Sequence, residues 1–151
     1  MENFIKTVAP NIWAYRTRFI QSLLDTWSLF LIPGIISFIL GIFFGVVLTI
    51  TKKGGIKQNT VIFRIIDTII NIFRAIPFVI LLIFLIPFTR LMVGTAIGVR
   101  GAVIPLIFGT VPFFSRQVET ALANVSPGKI EAARAMGSGT FGLIFRVYLH
   151  E

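Results

Sequence analysis

Residues 27–50, WSLFLIPGIISFILGIFFGVVLTI, carry no charge over 24 positions. As a helix this stretch is roughly 36 Å long at 1.5 Å per residue, enough for the ~30 Å hydrocarbon core of a bilayer. Trp27 suits an anchor at one membrane interface. Gly34, Ser37, Gly41 and Gly45 fall along one side, and such a stripe of small residues lets a second helix come close. The reading is an all-α membrane protein.

Composition agrees. Of 151 residues 56% are hydrophobic and 13% charged, and mean hydropathy is +0.92, whereas soluble domains carry about a quarter charged residues. There is no cysteine, which excludes disulfides and thiolate metal sites. The net charge of +8 could suggest nucleic acid, but the basic residues lie between apolar blocks rather than on one face. Membrane topology explains them better.

Residues 51–64 hold Lys52, Lys53, Lys57 and Arg64 with no acid, which marks a cytoplasmic loop and places the N-terminus outside. Lys6, Arg16 and Arg18 weigh weakly against this. Residues 1–26 read as an amphipathic, interfacial lead-in, with Phe4, Val8, Ile12, Tyr15, Phe19 and Leu23 on one face and Pro10 breaking it. No cleaved signal peptide is expected.

Two further spans are expected at about 65–89 and 98–117, which makes 27–117 a three-span region. The uncharged part of the second, 75–89, is only about 22 Å long as a helix, and Pro77 and Pro87 should kink it. Asp67, Asn71 and Arg74 share a helical face. Two readings stay open: Arg74 snorkelling with Asp67 as its partner, or a polar wall of Asp67, Asn71, Arg74 and Pro77 along a translocation path. In the third span Gly101, Pro105 and Gly109 form another small-residue stripe, and Arg100 and Arg116 bracket it as snorkelling residues.

Residues 118–151 read as a cytoplasmic loop built from two short helices. Ser126 can cap the first, Pro127 suits its first position, and Gly137 suits its end. Ser138 or Thr140 can cap a second, apolar helix at about 140–149. That helix is too short to cross a bilayer and is shaped to dock in a partner's groove. No catalytic constellation is visible: His150 is the sole histidine, without ligand spacing, and there is no phosphate-binding glycine loop with its lysine.

Glu131-Ala132-Ala133, Gly137, Val147 and Leu149 resemble the EAA loop of binding-protein-dependent ABC importer permeases, whose pattern is EAA, three residues, Gly, nine residues, Ile, one residue, Leu-Pro. Val147 stands in place of Ile, and His150 in place of the proline that would enforce a break. Residues 71–78 (NIFRAIPF), 86–90 (IPFTR) and 93–98 (VGTAIG) are similar to the methionine-uptake branch.

The resemblance implies a permease subunit, not itself an enzyme and without a cofactor. It would work as a homodimer with cytoplasmic ATPase subunits and an extracytoplasmic solute-binding protein, and would move an amino acid, methionine by these motifs. It also implies ATPase coupling through Glu131, Ala132, Ala133, Gly137, Phe141, Ile144, Phe145 and Leu149. Members of the family are longer, so a C-terminally truncated bundle, inactive alone in transport, is expected. A second class stays open: a membrane anchor or regulatory subunit that recruits a cytosolic partner through the same loop.

Overall fold

The computed structural model describes residues 15–150. The expected amphipathic face at Phe4, Val8 and Ile12 and the break at Pro10 lie outside them. Helix α1 spans Arg16–Thr51, α2 Thr60–Ala75, α3 Phe78–Phe84, α4 Ile86–Val93, α5 Gly98–Ala123, α6 Pro127–Ala135 and α7 Thr140–Gly142, which runs into a π-helical segment Leu143–Tyr148. No strand occurs among the described residues.

Helix α1 does not stop between the expected lead-in and span. The Thr26 hydroxyl donates to the Ser22 carbonyl (2.7 Å) and that of Ser28 to the Leu24 carbonyl (2.8 Å), so these polar side chains are absorbed by the helix itself. Pro33 sits inside the same helix.

The packing centre is α1 against α5. Ser37, Gly41, Gly45 and Leu48 are buried there. A Cβ on Gly41 would stand 2.5 Å from Phe114 Cβ, and one on Gly45 2.6 Å from Val118 Cβ and 2.8 Å from the Ser115 carbonyl oxygen. Backbone meets side chain directly, as the small-residue stripe predicts for these two positions. Gly34 does not share that contact: nothing lies within 4 Å of its would-be Cβ. The buried Thr49 and Ser115 hydroxyls are satisfied by the Gly45 (2.9 Å) and Val111 (2.7 Å) carbonyls of their own helices.

The second apolar stretch departs from the expectation of one kinked helix over 65–89. Helices α2 and α3 meet at 103°. The residue before a proline is driven out of helical backbone, and Ile76 is extended (φ −82°, ψ 123°) ahead of Pro77, which opens α3. Helix α1 and helix α5 are each long and apolar enough to cross a membrane, and α2 with α3 makes a third crossing only as a broken span. Phe108 of α5 meets both sides of the bend, with ring centroids 5.5 Å from Phe73 of α2 before it and 5.8 Å from Phe88 of α4 beyond it. Phe78 of α3 lies over Gly109, 3.0 Å from where its Cβ would be.

A charged network ties α2 to α5. Arg116 Nη2 donates to Asp67 Oδ1 (2.5 Å) and Asn71 Oδ1 (3.0 Å), and Nη1 donates to Glu119 Oε2 (2.6 Å). Asn71 Nδ2 donates in turn to Asp67 Oδ2 at 3.1 Å. Arg116 therefore does not simply snorkel. Its planar, five-donor guanidinium spreads three acceptors over two nitrogens, Nη1 and Nη2, where a lysine ammonium would have to gather all three around one.

Gly45→Leu should destabilise the helix pair by about 1–3 kcal/mol through overpacking, whereas Gly34→Ala should be neutral or slightly stabilising. Thermal unfolding in detergent reads both, and equal effects would show that the α1–α5 approach is looser than described. In a double-mutant cycle, Asp67→Ala and Arg116→Ala should each cost roughly 1.5–3 kcal/mol and be strongly non-additive. Simple additivity would mean that Asp67 and Arg116 do not act on each other.

Candidate functional site

The site is residues 126–149. Helix α6 begins at Pro127 with Ser126 before it, yet the Ser126 hydroxyl makes no capping bond. Its end follows the chemistry of Gly137, which adopts φ +81°. The Ser138 amide donates to the Ala133 carbonyl (3.0 Å) and the Gly137 amide to that of Arg134 (2.9 Å), a Schellman closure that a left-handed glycine permits. The next helix is entered through Gly139 without a side-chain cap, so neither Ser138 nor Thr140 caps it. After one α-turn the backbone widens: the Leu149 amide bonds the Ile144 carbonyl five residues back, at 2.9 Å.

This widening sets two faces. Leu143 (2% exposed) and Tyr148 (7%) turn inward, as does Ala133 of α6. Tyr148 lines a small cavity with Ile130, Glu131 and Arg134 of α6 and Lys52 and Ile56 of the α1–α2 connection. That connection and the EAA-like segment therefore sit together at one end of the bundle. Burial pushes the Tyr148 phenol up, against the pull of the nearby Arg134 charge. On the other face Met136, Phe141, Phe145 and Leu149 are exposed, with Phe141 at 79% and Phe145 at 65%.

Of the residues expected to couple, Phe141, Phe145 and Leu149 form the outward stripe, Ile144 is half-buried, Glu131 and Ala132 are exposed on α6, Ala133 is buried, and Gly137 makes the turn. Sequence reading missed Leu143 and Tyr148 as the residues that seat the segment. They are five apart, and only an i→i+5 backbone brings that spacing to one side. Met136, equally exposed, was also missed.

The four residues expected to line a path do not act as one group. Asp67 and Asn71 are joined to Arg116. The partner of Asp67 is thus Arg116 and not Arg74. Arg74, one turn further on, lines a separate cavity of about 540 Å3 with Phe73, Phe78 and Phe113. Pro77 sets the bend. No cluster of three or more potential metal ligands occurs among the described residues.

Residues 38–150 match the family described as the inner membrane component of binding-protein-dependent transport systems. The chain is 40% identical over 142 residues to the D-methionine transport system permease protein MetI of Escherichia coli (strain K12), covering 94% of this chain and 64% of that one. It is 45% identical over 127 residues to MetI of Yersinia pestis (84% and 58% covered) and 40% identical over 104 residues to the methionine import system permease protein MetP of Bacillus subtilis (69% and 47% covered). A crystal structure of the inward-facing MetNI methionine ABC transporter contains a chain that superposes with a TM-score of 0.86 at 40% identity, covering 95% of this chain and 64% of that one. The chain thus spans about three-fifths of the length of the MetI relatives above, at 64% and 58%. With a match over three-quarters of its residues and the same helical course, the chain belongs to the family of binding-protein-dependent transport system inner membrane components, which are multi-pass membrane proteins.

Proposed function

We propose that this chain is the membrane-crossing and coupling portion of a permease subunit that imports methionine, driven by ATP hydrolysis on a separate subunit. One observation carries the reading. Phe141, Phe145 and Leu149 stand exposed on a segment that Gly137, Leu143 and Tyr148 hold in a fixed pose. An apolar stripe on a short, seated helix is what a groove in a partner receives. The partner is an ATPase subunit, as the similarity to MetNI supports. The EAA-like segment lies on the cytoplasmic side and the N-terminus outside, the orientation that the basic 52–57 loop favours. A second permease copy completes the assembly, and an extracytoplasmic solute-binding protein delivers the substrate.

In this mechanism the ATPase moves the stripe, and α6 passes the displacement through residues 124–126 to α5. Helix α5 carries Arg116, so a tilt of α5 is transmitted to α2 through Asp67 and Asn71, as in rigid-body switching. Glu131, exposed on α6, meets a basic group of the ATPase. Asp67, Asn71, Arg74 and Pro77 remain the candidates for the polar side of the path, with Asp67 and Asn71 acting through Arg116.

Co-purification in detergent with the ATPase subunit of the same importer tests this. Phe141→Asp or Phe145→Asp should weaken retention by about tenfold or more, the equivalent of unburying one large apolar side chain at roughly 1.5–3 kcal/mol. Gly137→Ala should weaken it less, since a left-handed non-glycine residue costs about 1–2 kcal/mol. Retention unchanged by both aspartate variants would sink the coupling role. Retention of an ATPase without ATP-driven methionine uptake in reconstituted vesicles of the full-length subunit would instead favour an anchor over a permease.

A further inference from the structure

The elbow between α2 and α3 holds a charge that nothing beside it offsets. The lining of its cavity, about 540 Å3, includes Phe73 and Arg74 of α2, Phe78 of α3, and Leu106, Thr110 and Phe113 of α5. No acidic residue lines it. Arg74 forms no ion pair and donates no side-chain hydrogen bond among the described residues. The acids of α2 and α5, Asp67 and Glu119, both engage Arg116. Asp67 stands two turns back on α2, about 10 Å along its axis. Arg74 lies in the last turn of α2, but a helix end supplies only ~0.5 of an elementary charge.

Depth makes that charge costly. On α5 the uncharged run between Arg100 and Arg116 centres on Phe108. Phe73, the neighbour of Arg74, packs on the Phe108 ring at 5.5 Å. Arg74 is therefore level with the middle of a stretch long and apolar enough to cross a membrane, where a lone cation is disfavoured. The backbone beside it is broken by the 103° turn at Pro77, and many transporters place their substrate sites at such mid-membrane breaks. A carboxylate matches the guanidinium fork with its two oxygens. The rings of Phe73, Phe78 and Phe113 suit a thioether, whose sulfur packs favourably on aromatic edges. We propose that Arg74 receives the carboxylate of the transported amino acid, with the methionine side chain among those three rings. The site rests on the methionine-import reading and adds to it the residue that selects the free acid.

Equilibrium binding to the detergent-purified importer, full-length subunit with its ATPase, tests this with methionine and with methioninamide, whose carboxamide carries no negative charge. The wild type should favour the acid by about tenfold or more, as expected for charge-assisted hydrogen bonds. Arg74→Gln should erase that preference and Arg74→Lys should keep part of it. Arg100→Gln, which removes a charge outside the cavity, should keep all of it. Without ligand, Arg74→Gln should unfold at no lower a temperature than the wild type, since it removes a charge without a partner. The proposal is overturned if the wild type binds both ligands equally or if the preference survives in Arg74→Gln. An unfolding temperature several degrees lower in Arg74→Gln would also overturn it, assigning the guanidinium to a carboxylate elsewhere in the assembly. ATP-driven methionine uptake by the same wild-type importer in vesicles separates the two levels. Uptake alongside any of these results sinks the carboxylate site alone, and absence of uptake sinks the import reading with it.

Discussion

The approach of α1 to α5 at Gly41 and Gly45 governs the rest of the molecule. Lipid tails are as apolar as leucine, so two helices in a bilayer gain little from hiding hydrophobic surface and must gain from close packing. Two missing side chains bring the α1 backbone onto Phe114, Ser115 and Val118 of α5. With α5 fixed, it offers Phe108 to α2 and α4, and Arg116 to Asp67 and Asn71 of α2. The same helix then continues to Ala123 and leads into α6. Each functional element is hung from α5, and α5 is held by α1.

The charged network and the proline bend solve one problem together. Helix α2 has 16 residues, about 24 Å, too short for the ~30 Å core by itself. The 103° turn at Pro77 sends the chain sideways, where α3 packs across α5 at Gly109. Helix α2 thereby loses the continuity that would keep a longer helix in register. Asp67 and Asn71, one turn apart, recover it by gripping a single guanidinium on α5. The network is partly shielded, with Arg116 and Asp67 side chains 23% and 28% exposed, so its hydrogen bonds are stronger than those of a surface pair.

What the sequence disclosed follows the range of the interactions involved. Helix α1, helix α5 and the Gly137 turn rest on local signals, an uncharged run and a glycine placed after good helix formers, and these were legible. The methionine-permease resemblance was also legible, because its motifs are contiguous. The second span was read as a kinked helix because proline chemistry predicts a break but not its angle, which packing against α5 decides. One of the two readings open for this face pairs Asp67 with Arg74, seven residues away, since periodicity sees only one helix. Its partner Arg116 lies 49 residues on, beyond any local pattern. Leu143 and Tyr148 were missed because α-helical spacing separates them, and only the widened π backbone reunites them.

Exposed apolar surface has opposite meanings at different heights in this chain. Phe30 and Ile39 on α1, at 68% and 61% exposure, stand on a helix long enough to cross a bilayer, where contact with lipid tails costs nothing. Phe141 and Phe145 are as exposed, at 79% and 65%, but they lie at the end that also holds Lys52, Glu131 and Arg134. There the same area faces water, at about 25 cal/mol per Å2. A segment that only needed to close a loop would turn these rings inward, and it has the means: Leu143 and Tyr148 already occupy the inner face and fix which side points out. The π-widened turn therefore does more than seat the segment. It keeps Phe141, Phe145 and Leu149 exposed together on the side away from Leu143 and Tyr148.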